Sequence, residues 1–380
     1  MLPPVGGPHT HHTNRKNNSM KIGVPLETRP GEARVASTPE VVKKFAAKGF
    51  EVLVEHGAGV RAGYPDTEYE TAGARVTDRA GAYDTDLLLK VRRPDAADVA
   101  AMRADGIYIG LMEGCGEDEM VAAMRARGIR VLAMERMPRT SRAQSMDVLS
   151  SQANIAGYRA VIEAAARYGR FFPMMMTSAG SAKPARLVVL GAGVAGLQAI
   201  ATARRLGAEV FGYDVRPETR EQILSLGAKP IDLDLGETGS GEGGYAKELS
   251  AEAKERQQAA LADQLARAHV IITTAQIPCR PAPVLVTEAV VARLRPGSVI
   301  VDLAAGSGGN CPLTVPDQVV ERHGVVIVGH TNYPSMVAAD ASAFYAKNLA
   351  NLIEIMVDKG DAGPVLKDLM QDDITAAMLG

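Results

Sequence analysis

The segment from Arg186 to Arg216 constrains the fold of this chain more than any other. It contains an apolar strand, the sequence Gly191-x-Gly193-x-x-Gly196, a helical stretch, a second strand and then Asp214. Gly191 permits a tight turn out of the strand, Gly193 lets the backbone approach a pyrophosphate, and Gly196 lets the helix lie close to the sheet. The N–H groups at the start of the helix favour phosphate. Because strand, helix and acid all accompany the glycines, we predict a dinucleotide-binding unit rather than a glycine-rich turn in an ordinary α/β domain.

Asp214 also bears on which dinucleotide binds. A carboxylate at the tip of this strand accepts hydrogen bonds from the adenosine ribose hydroxyls and repels a 2′-phosphate. Arg216, two residues further on, is the opposing signal, because a guanidinium accommodates a 2′-phosphate. Asp214 stands nearer to the place where the ribose lies, so we expect NAD(H) rather than NADP(H).

The length and the order of elements predict two domains of similar design. The chain has 380 residues, more than one ordinary domain. Strands and helices alternate from Met20 to about Met137, and the pattern returns around the glycine sequence. That order is typical of parallel sheets covered by helices on both faces. We therefore predict an α/β fold of two Rossmann-like, doubly wound parallel-sheet domains separated by a cleft.

The predicted boundaries follow two long helical stretches, Asp147–Arg170 and Ala338–Lys359. The N-terminal-type Rossmann-like domain is predicted to comprise residues 20–146 plus 336–380, and the NAD(H)-binding Rossmann domain residues 147–335. Residues 1–19 are rich in Pro, His and Asn and lack periodicity, so we expect a disordered N-terminal extension.

Composition and charge exclude several classes of function. A net charge of −2 gives no electrostatic reason for binding nucleic acid or an anionic membrane surface. The longest uncharged apolar stretch, Leu187–Ala203, is short for a membrane span and is interrupted by the glycines, so no direct membrane insertion is expected. Cys115, Cys279 and Cys311 are too few and too scattered for a disulfide framework or a metal site, which favours a reducing cytoplasm and predicts no metal.

Two further segments have open interpretations. The apolar run Phe171–Met176 is expected to pack in the core or between the domains rather than to contact a cofactor. The glycine-rich stretch from Gly236 to Tyr245 is either a surface loop or a lid that closes on bound nucleotide, with Tyr245 at its end.

Polar residues crowd the segment that leads into the helical stretch at Asp147. They are Arg139, Arg142, Gln144, Ser145, Asp147, Ser150 and Ser151. Asp147 suits the first turn of a helix, but capping alone does not require two arginines and a glutamine. We favour a loop in the inter-domain cleft that contacts the nicotinamide end of the cofactor over a simple helix cap.

Several strings in the chain resemble a known family. They are Arg29–Glu40, Met137–Gln152 with its R-A-Q-S-M-D core, Ala156–Val161, Gly243–Glu248, Gly308–Leu313 and Gly329–Pro334. These strings are similar to the NAD(H)-binding component (domain I, alpha subunit) of proton-translocating, Si/Re-type NAD(P)+ transhydrogenase. The similarity runs from about Met20 to the end, and the broader superfamily includes alanine dehydrogenase.

The resemblance implies roles for individual residues and for partners. Arg139, Gln144, Asp147 and Ser150 match the loop that holds the nicotinamide end and are the predicted catalytic set. The predicted cofactor-binding set is Gly191, Gly193, Val194, Ala195, Gly196, Asp214, Val215, Arg216, Tyr245 and Ala275. The family implies a homodimer that is catalytic only with an NADP(H)-binding component and a membrane-spanning, proton-conducting component. The chain would then be cytoplasmic and peripheral on the inner face of the cell membrane.

A free-standing alanine-type dehydrogenase is the alternative enzyme. That chemistry needs a base and cations that grip a carboxylate, whereas direct transfer of hydride between two nicotinamides needs only placement and exclusion of water. Arg34 and Lys90 match two of the four groups in the alanine dehydrogenase pattern, but Met112 and Gly306 replace its His and Asp.

Asp302 and His330 are expected to be structural hydrogen-bonding groups rather than cleft residues. A third, non-enzymatic hypothesis for the whole chain is an NAD(H)-sensing interaction protein, which would bind the nucleotide without transferring hydride.

Overall fold

The computed structural model describes residues 19–114, 118–234, 236, 238–241, 249–361 and 363–379. The predicted N-terminal extension, apart from Ser19, and the residues Cys115 and Tyr245 lie outside this set. The expectations that concern them therefore remain predictions.

The first part of the chain forms a six-stranded sheet in which every strand is parallel to its neighbours. Its strands are β1 (Lys21–Val24), β2 (Glu51–Glu55), β3 (Arg75–Thr77), β4 (Leu87–Leu89), β5 (Ile107–Gly110) and β6 (Arg130–Ala133). The helices between them are α1 (Pro39–Ala47), α2 (Asp66–Thr71), α3 (Arg79–Tyr83), α4 (Ala96–Ala101) and α5 (Glu119–Ala126). The strand order β3-β2-β1-β4-β5-β6 reverses direction between β1 and β4, as in doubly wound folds.

A long helix and a small hairpin lead to the second sheet. They are α6 (Val148–Arg167), β7 (Met175–Thr177) and β8 (Gly180–Ala182). Asp147 caps α6 by accepting a hydrogen bond from the Ser150 amide, which satisfies a donor that the first turn leaves unpaired.

The second sheet has seven strands in the order β11-β10-β9-β12-β13-β15-β14. They are β9 (Arg186–Leu190), β10 (Glu209–Tyr213), β11 (Lys229–Pro230), β12 (Val270–Thr273), β13 (Val299–Asp302), β14 (Val319–Arg322) and β15 (Val325–Val328). Its helices are α7 (Val194–Arg205), α8 (Thr219–Ser225), α9 (Ala251–Leu265) and α10 (Glu288–Arg293). All pairings are parallel except that of the edge strand β14 with β15. The predicted α/β class with two doubly wound sheets is confirmed.

The end of the chain returns to the first sheet. It forms α11 (Ala338–Met356), the hairpin strands β16 (Val357–Gly360) and β17 (Gly363–Leu366), and α12 (Asp373–Met378). Tyr345, Leu349 and Leu352 of α11 share a buried cluster with Ile22 and Val24 of β1. The expected crossing back is therefore present, whereas the domain boundaries themselves stay a prediction.

Two expectations about these elements are wrong. The methionine run is not in the core, since Met174 and Met176 are 62% and 76% exposed. These residues lie at the start of the β7–β8 hairpin, whose strands pair with each other and not with either main sheet. An apolar sequence signals a surface to be covered but not what covers it. The last predicted helix is also too long, because it ends at Met356 and Val357–Lys359 belong to β16.

Among the described residues, no helix combines the length and apolarity needed to cross a membrane. No cluster of three or more His, Cys, Asp or Glu side chains in the same residues is arranged to hold a metal ion. Cys311 is a buried free thiol, whereas Cys279 is disulfide-bonded. The expectation of scattered, unpaired cysteines is therefore wrong for Cys279, because spacing along the sequence does not limit proximity in the fold.

Candidate functional site

A cleft of about 890 Å³ lies at the carboxyl ends of β9, β10 and β12. Gly191 follows β9, Asp214 follows β10 and Thr274 follows β12, and all three line it. The strand order reverses between β9 and β12, so the cleft lies at the switch point where ligands of open α/β sheets bind. The three segments converge because the strands are parallel and in register.

The three glycines of the loop after β9 have three distinct local geometries. Gly191 has φ +100°, in the left-handed region that favours glycine, and makes the turn out of the strand. A Cβ on Gly196 would lie 1.8 Å from the carbonyl oxygen of Gly191, so only glycine allows α7 to lie this close to the turn. A Cβ on Gly193 would meet no atom within 4 Å, which leaves open space above the amino end of α7. This is the arrangement that a pyrophosphate needs.

Asp214 is held by the glycine loop and by Arg216. Its Oδ2 accepts a hydrogen bond from the Ala192 amide at 2.7 Å, and its Oδ1 accepts one from the Arg216 amide at 2.9 Å. The Arg216 guanidinium folds back and donates to both carboxylate oxygens at 2.9 and 2.8 Å. This hydrogen bonding raises the pKa of Arg216. The arginine expected to compete for a 2′-phosphate is therefore an ion-pair partner of the acid.

The opposite side of the cleft comes from the segment before α6 and from its first turns. Arg139, Leu149, Ser150 and Ala153 line it. Ser150 donates its hydroxyl to Asp147 Oδ2 at 2.6 Å, so Asp147 both caps the helix and orients Ser150. The alternatives of helix cap and cleft loop thus coexist in one segment.

Not every predicted site residue lines the cleft. Among the described residues of the two sets, Arg139, Ser150, Gly191, Gly193, Val194, Ala195, Asp214, Val215, Arg216 and Ala275 do so. Gln144 does not; it is exposed on a 3-10 turn, Gln144–Met146, between Arg139 and Ser150. Asp147 and Gly196 support lining residues from behind.

The helices α6 and α7 touch closely beside the glycine loop. A Cβ on Gly157 of α6 would lie 2.0 Å from the carbonyl oxygen of Ala195, in the first turn of α7. Gly157 therefore permits backbone contact between the helix that carries Ser150 and the helix whose amino end faces the cleft.

The groups shared with alanine dehydrogenases are buried in internal pairs. Arg34 is 4% exposed and donates to Glu32 at 2.8 and 2.7 Å and to Gln152 at 2.8 Å. Lys90 is 1% exposed, and its Nζ lies 3.4 Å from both Glu27 and Asp98. Neither cation lines the cleft.

Glu32 is the acid at the centre of this cluster. Burial alone would raise its pKa, but hydrogen bonds and charge from Arg34, with help from Ser335 and Arg92, hold the pKa well below the ordinary 4.5. The charged form of Glu32 is thus the form that the fold stabilises.

Asp302 and His330 also have the positions of structural groups. Asp302 is fully buried and accepts hydrogen bonds from Thr273, Ala304, Asn310, Cys311 and Thr314. His330 Nε2 lies 3.7 Å from Glu163 Oε2, and neither His330 nor Asp302 lines the cleft. The structural interpretation of Asp302 is confirmed.

The sequence analysis missed part of the cleft wall. The missed residues include Leu249, Gln257 and the stretch Arg280–Leu285. Gln257 is buried and donates to the Tyr213 hydroxyl at 2.9 Å. These residues follow no motif, and only the fold brings them to the carboxyl ends of the strands.

Two family models cover most of the chain. The alanine dehydrogenase/PNT N-terminal domain matches residues 23–156, and the alanine dehydrogenase/PNT C-terminal domain matches residues 160–379. The chain belongs to the alanine dehydrogenase/PNT family. Membership agrees with the two sheets and with the glycine loop at the switch point.

Relatives within the family include transhydrogenase subunits. The chain is 51% identical over 357 residues to an NAD(P) transhydrogenase alpha subunit of Rhodospirillum rubrum, an alignment that covers 92% of this chain and 93% of that protein. It superimposes on the crystal structure of transhydrogenase from Sinorhizobium meliloti with a TM-score of 0.83 and 48% identity, covering 94% of this chain and 97% of that one. The resemblance predicted from the sequence is confirmed.

A solved L-alanine dehydrogenase is a more distant relative. It matches with a TM-score of 0.76 and 27% identity, covering 95% of this chain and 94% of that one. The two branches of the family share the fold, so the residues at the site have to distinguish their chemistry.

Proposed function

We propose that this chain is the NAD(H)-binding subunit of a proton-translocating transhydrogenase. It binds NADH in the cleft and donates hydride to NADP+ held by a partner component, giving NAD+ and NADPH. The observation that carries the proposal is the cleft itself. The glycine loop, Asp214 and the segment from Arg139 to Ser150 surround one elongated space of about 890 Å³.

Each wall of the cleft has a distinct task in this proposal. The amino end of α7 and the open space at Gly193 receive the pyrophosphate, and Asp214 accepts hydrogen bonds from the adenosine ribose. The ribose hydroxyls would compete with Arg216 for the Asp214 oxygens. Arg139 and Ser150 face the other end, where the nicotinamide would lie.

The bound nicotinamide supplies the hydride, and the chain supplies placement. Transfer from one nicotinamide C4 to another needs no general acid or base, only close approach and exclusion of water. Ser150 is fixed by Asp147 at 2.6 Å, and Arg139 and Gln144 lie in the segment just before it. The groups facing the nicotinamide end can thus orient the ring without taking part in proton transfer.

The internal cluster argues against the alternative of an amino-acid dehydrogenase. Gripping a substrate carboxylate requires accessible cations, whereas Arg34 and Lys90 are buried against Glu32, Glu27 and Asp98. Met112 and Gly306 offer no acid–base group. The purified chain should therefore not reduce NAD+ with L-alanine, and steady turnover of that kind would establish the alternative.

The proposed partners are a second copy of this chain, an NADP(H)-binding subunit and a membrane-spanning proton-conducting subunit. The Rhodospirillum rubrum relative is named as a subunit, which supports a multi-subunit assembly. Phe171, Met174 and Met176 form an exposed apolar hairpin base, which supports the homodimer because large exposed apolar patches mark interfaces. Contact with these partners would place the chain at the inner face of the cell membrane.

Reconstitution with an NADP(H)-binding component tests the proposal. We expect hydride transfer between nucleotides in the mixture and none with this chain alone. Gln144→Asn should slow transfer markedly while NADH affinity changes little, because the shorter side chain misplaces the ring without touching the glycine loop. Gln371→Asn makes the same chemical change on an exposed residue outside the cleft and should have no effect.

Three results would contradict parts of the proposal. Unchanged turnover of Gln144→Asn would remove Gln144 from the site. NADPH binding more tightly than NADH would contradict the role of Asp214. Nucleotide binding without transfer in any reconstitution would favour the NAD(H)-sensing hypothesis.

A further inference from the structure

One wall of the cleft consists of chain without regular secondary structure. Residues 274–287, between β12 and α10, form neither helix nor strand. Ala275, Pro283 and Leu285 of this segment line the cleft. Since no ladder of backbone hydrogen bonds fixes the wall, its shape must come from other contacts.

Those contacts converge on Asn310. Its Oδ1 accepts a hydrogen bond from the Ala275 amide at 3.1 Å, and its Nδ2 donates to the carbonyl oxygens of Ala275 at 2.9 Å and Pro283 at 2.8 Å. Its own carbonyl oxygen accepts hydrogen bonds from the amides of Leu285 and Val286 at 2.9 and 3.0 Å. One fully buried residue therefore joins both ends of the irregular wall.

The sequence around Asn310 is built to hold it in this position. Gly308 and Gly309 have φ +98° and +79°, left-handed conformations that turn the chain back toward β12. A Cβ on Gly309 would lie 2.9 Å from Asp302 Oδ2. That oxygen accepts the Asn310 amide at 2.8 Å and the Thr314 hydroxyl at 2.7 Å. The Gly308–Leu313 string thus gains a physical role: it anchors Asn310 to Asp302.

We infer that Asn310 is a positioning residue that sets the shape of the nucleotide-binding wall, and through it the affinity for NADH. The inference rests on the proposed function. Asn310 does not itself line the cleft, so it acts through Ala275 and Pro283. An asparagine is required because the wall presents one N–H and two carbonyl groups, which match one acceptor and two donors.

Two substitutions at Asn310 separate its donors from its acceptor. Asn310→Ala removes all three side-chain hydrogen bonds, and we expect the Kd for NADH to rise about tenfold or more because buried backbone groups lose their partners. Asn310→Asp keeps an acceptor for the Ala275 amide but turns a carboxylate toward two carbonyl oxygens. We expect its Kd to rise at least as much.

Thr314→Val is the matched control. It removes one buried hydrogen bond to the same Asp302 oxygen but touches nothing in residues 274–287. We expect a comparable loss of thermal stability, with the Kd for NADH within twofold of the unmodified chain. A merely structural role for Asn310 would lower affinity in both variants in proportion to stability, and that result would overturn the inference.

Binding is measured by NADH fluorescence titration and folding by thermal unfolding of the same samples. A folded Asn310→Ala variant with an unchanged Kd refutes the inference alone, whereas an unmodified chain that binds no NADH refutes the proposed function. If Asn310→Ala does not fold, amide exchange in the unliganded, unmodified chain decides. Peptides covering 274–287 should exchange slowly despite their lack of regular structure, and rapid exchange overturns the inference.

Discussion

Gly157 offers a sharp test of how the cleft is held together. A Cβ at this position would lie 2.0 Å from the Ala195 carbonyl oxygen and 2.8 Å from the Ala195 carbonyl carbon. Ordinary contact begins near 3.4 Å. In Gly157→Ala, α6 and the first turn of α7 must therefore separate by about 1.4 Å, and the obstructing atoms are backbone, which cannot rotate away.

The magnitude follows from two opposing effects. Overpacking of a tight interior contact costs roughly 1–3 kcal/mol, and a backbone clash belongs at the upper end. Replacing glycine by alanine inside a helix contributes about 1 kcal/mol in the other direction. We expect the free energy of unfolding to fall by roughly 2 kcal/mol.

The effect on binding should exceed the effect on folding. The first turn of α7 carries Val194 and Ala195, which line the cleft. A displacement of about 1 Å at a binding or catalytic group can change function by up to about a hundredfold. We therefore expect the Kd for NADH in Gly157→Ala to rise by about tenfold or more.

Urea unfolding and NADH fluorescence titration measure the two quantities. Gly169→Ala, just beyond the carboxyl end of α6, is the control, because a Cβ there would meet no atom within 4 Å. It should leave both quantities unchanged. A Gly157→Ala protein with undiminished stability and unaltered affinity would show that the helices do not need this contact, and the reasoning would fail.

Three further predictions concern other parts of the molecule. Gly193→Ala should leave the unliganded chain as stable as before but weaken nucleotide binding, whereas Gly196→Ala should destabilise the fold; thermal unfolding with and without NADH compares them. Asp214→Ala should lower NADH affinity and raise the NADPH-to-NADH preference in paired titrations, and an unchanged preference would contradict the ion-pair argument. Because the pKa of Glu32 is lowered on folding, its contribution to stability is present above its ordinary pKa of 4.5 and is lost as the pH falls below it. Unfolding free energies between pH 7 and about pH 3 should thus decline less steeply in Glu32→Gln than in the unmodified chain.

The parts of the site that sequence predicts are those whose mechanics are local. The turn at Gly191 and the close contact at Gly196 depend on residues within one βαβ unit, so the motif was enough to predict both geometries. Asp214 also follows from its place at a strand end. The segment from Arg139 to Ser150 needed the family resemblance to be assigned to a cleft.

Contacts that are distant in sequence were not predictable. Asn310 lies 35 residues from Ala275 and 27 from Pro283, and nothing in the G-G-N string reveals those partners. The burial of Arg34 against Gln152 spans 118 residues. The exposed methionines are the converse case, since their apolar character predicted a core that the hairpin never enters. In each case tertiary proximity decided the outcome.

The continuity of α6 has a mechanical consequence. This single rod of 20 residues starts at the cap that steadies Ser150 and presses its middle against the glycine-bearing turn of the other sheet. The supports for the two ends of a bound dinucleotide are thereby bolted to one beam and cannot drift apart independently. Breathing that admits or releases the ligand must then fall to the opposite flank, where amide hydrogen bonds to one asparagine substitute for a helix or a strand.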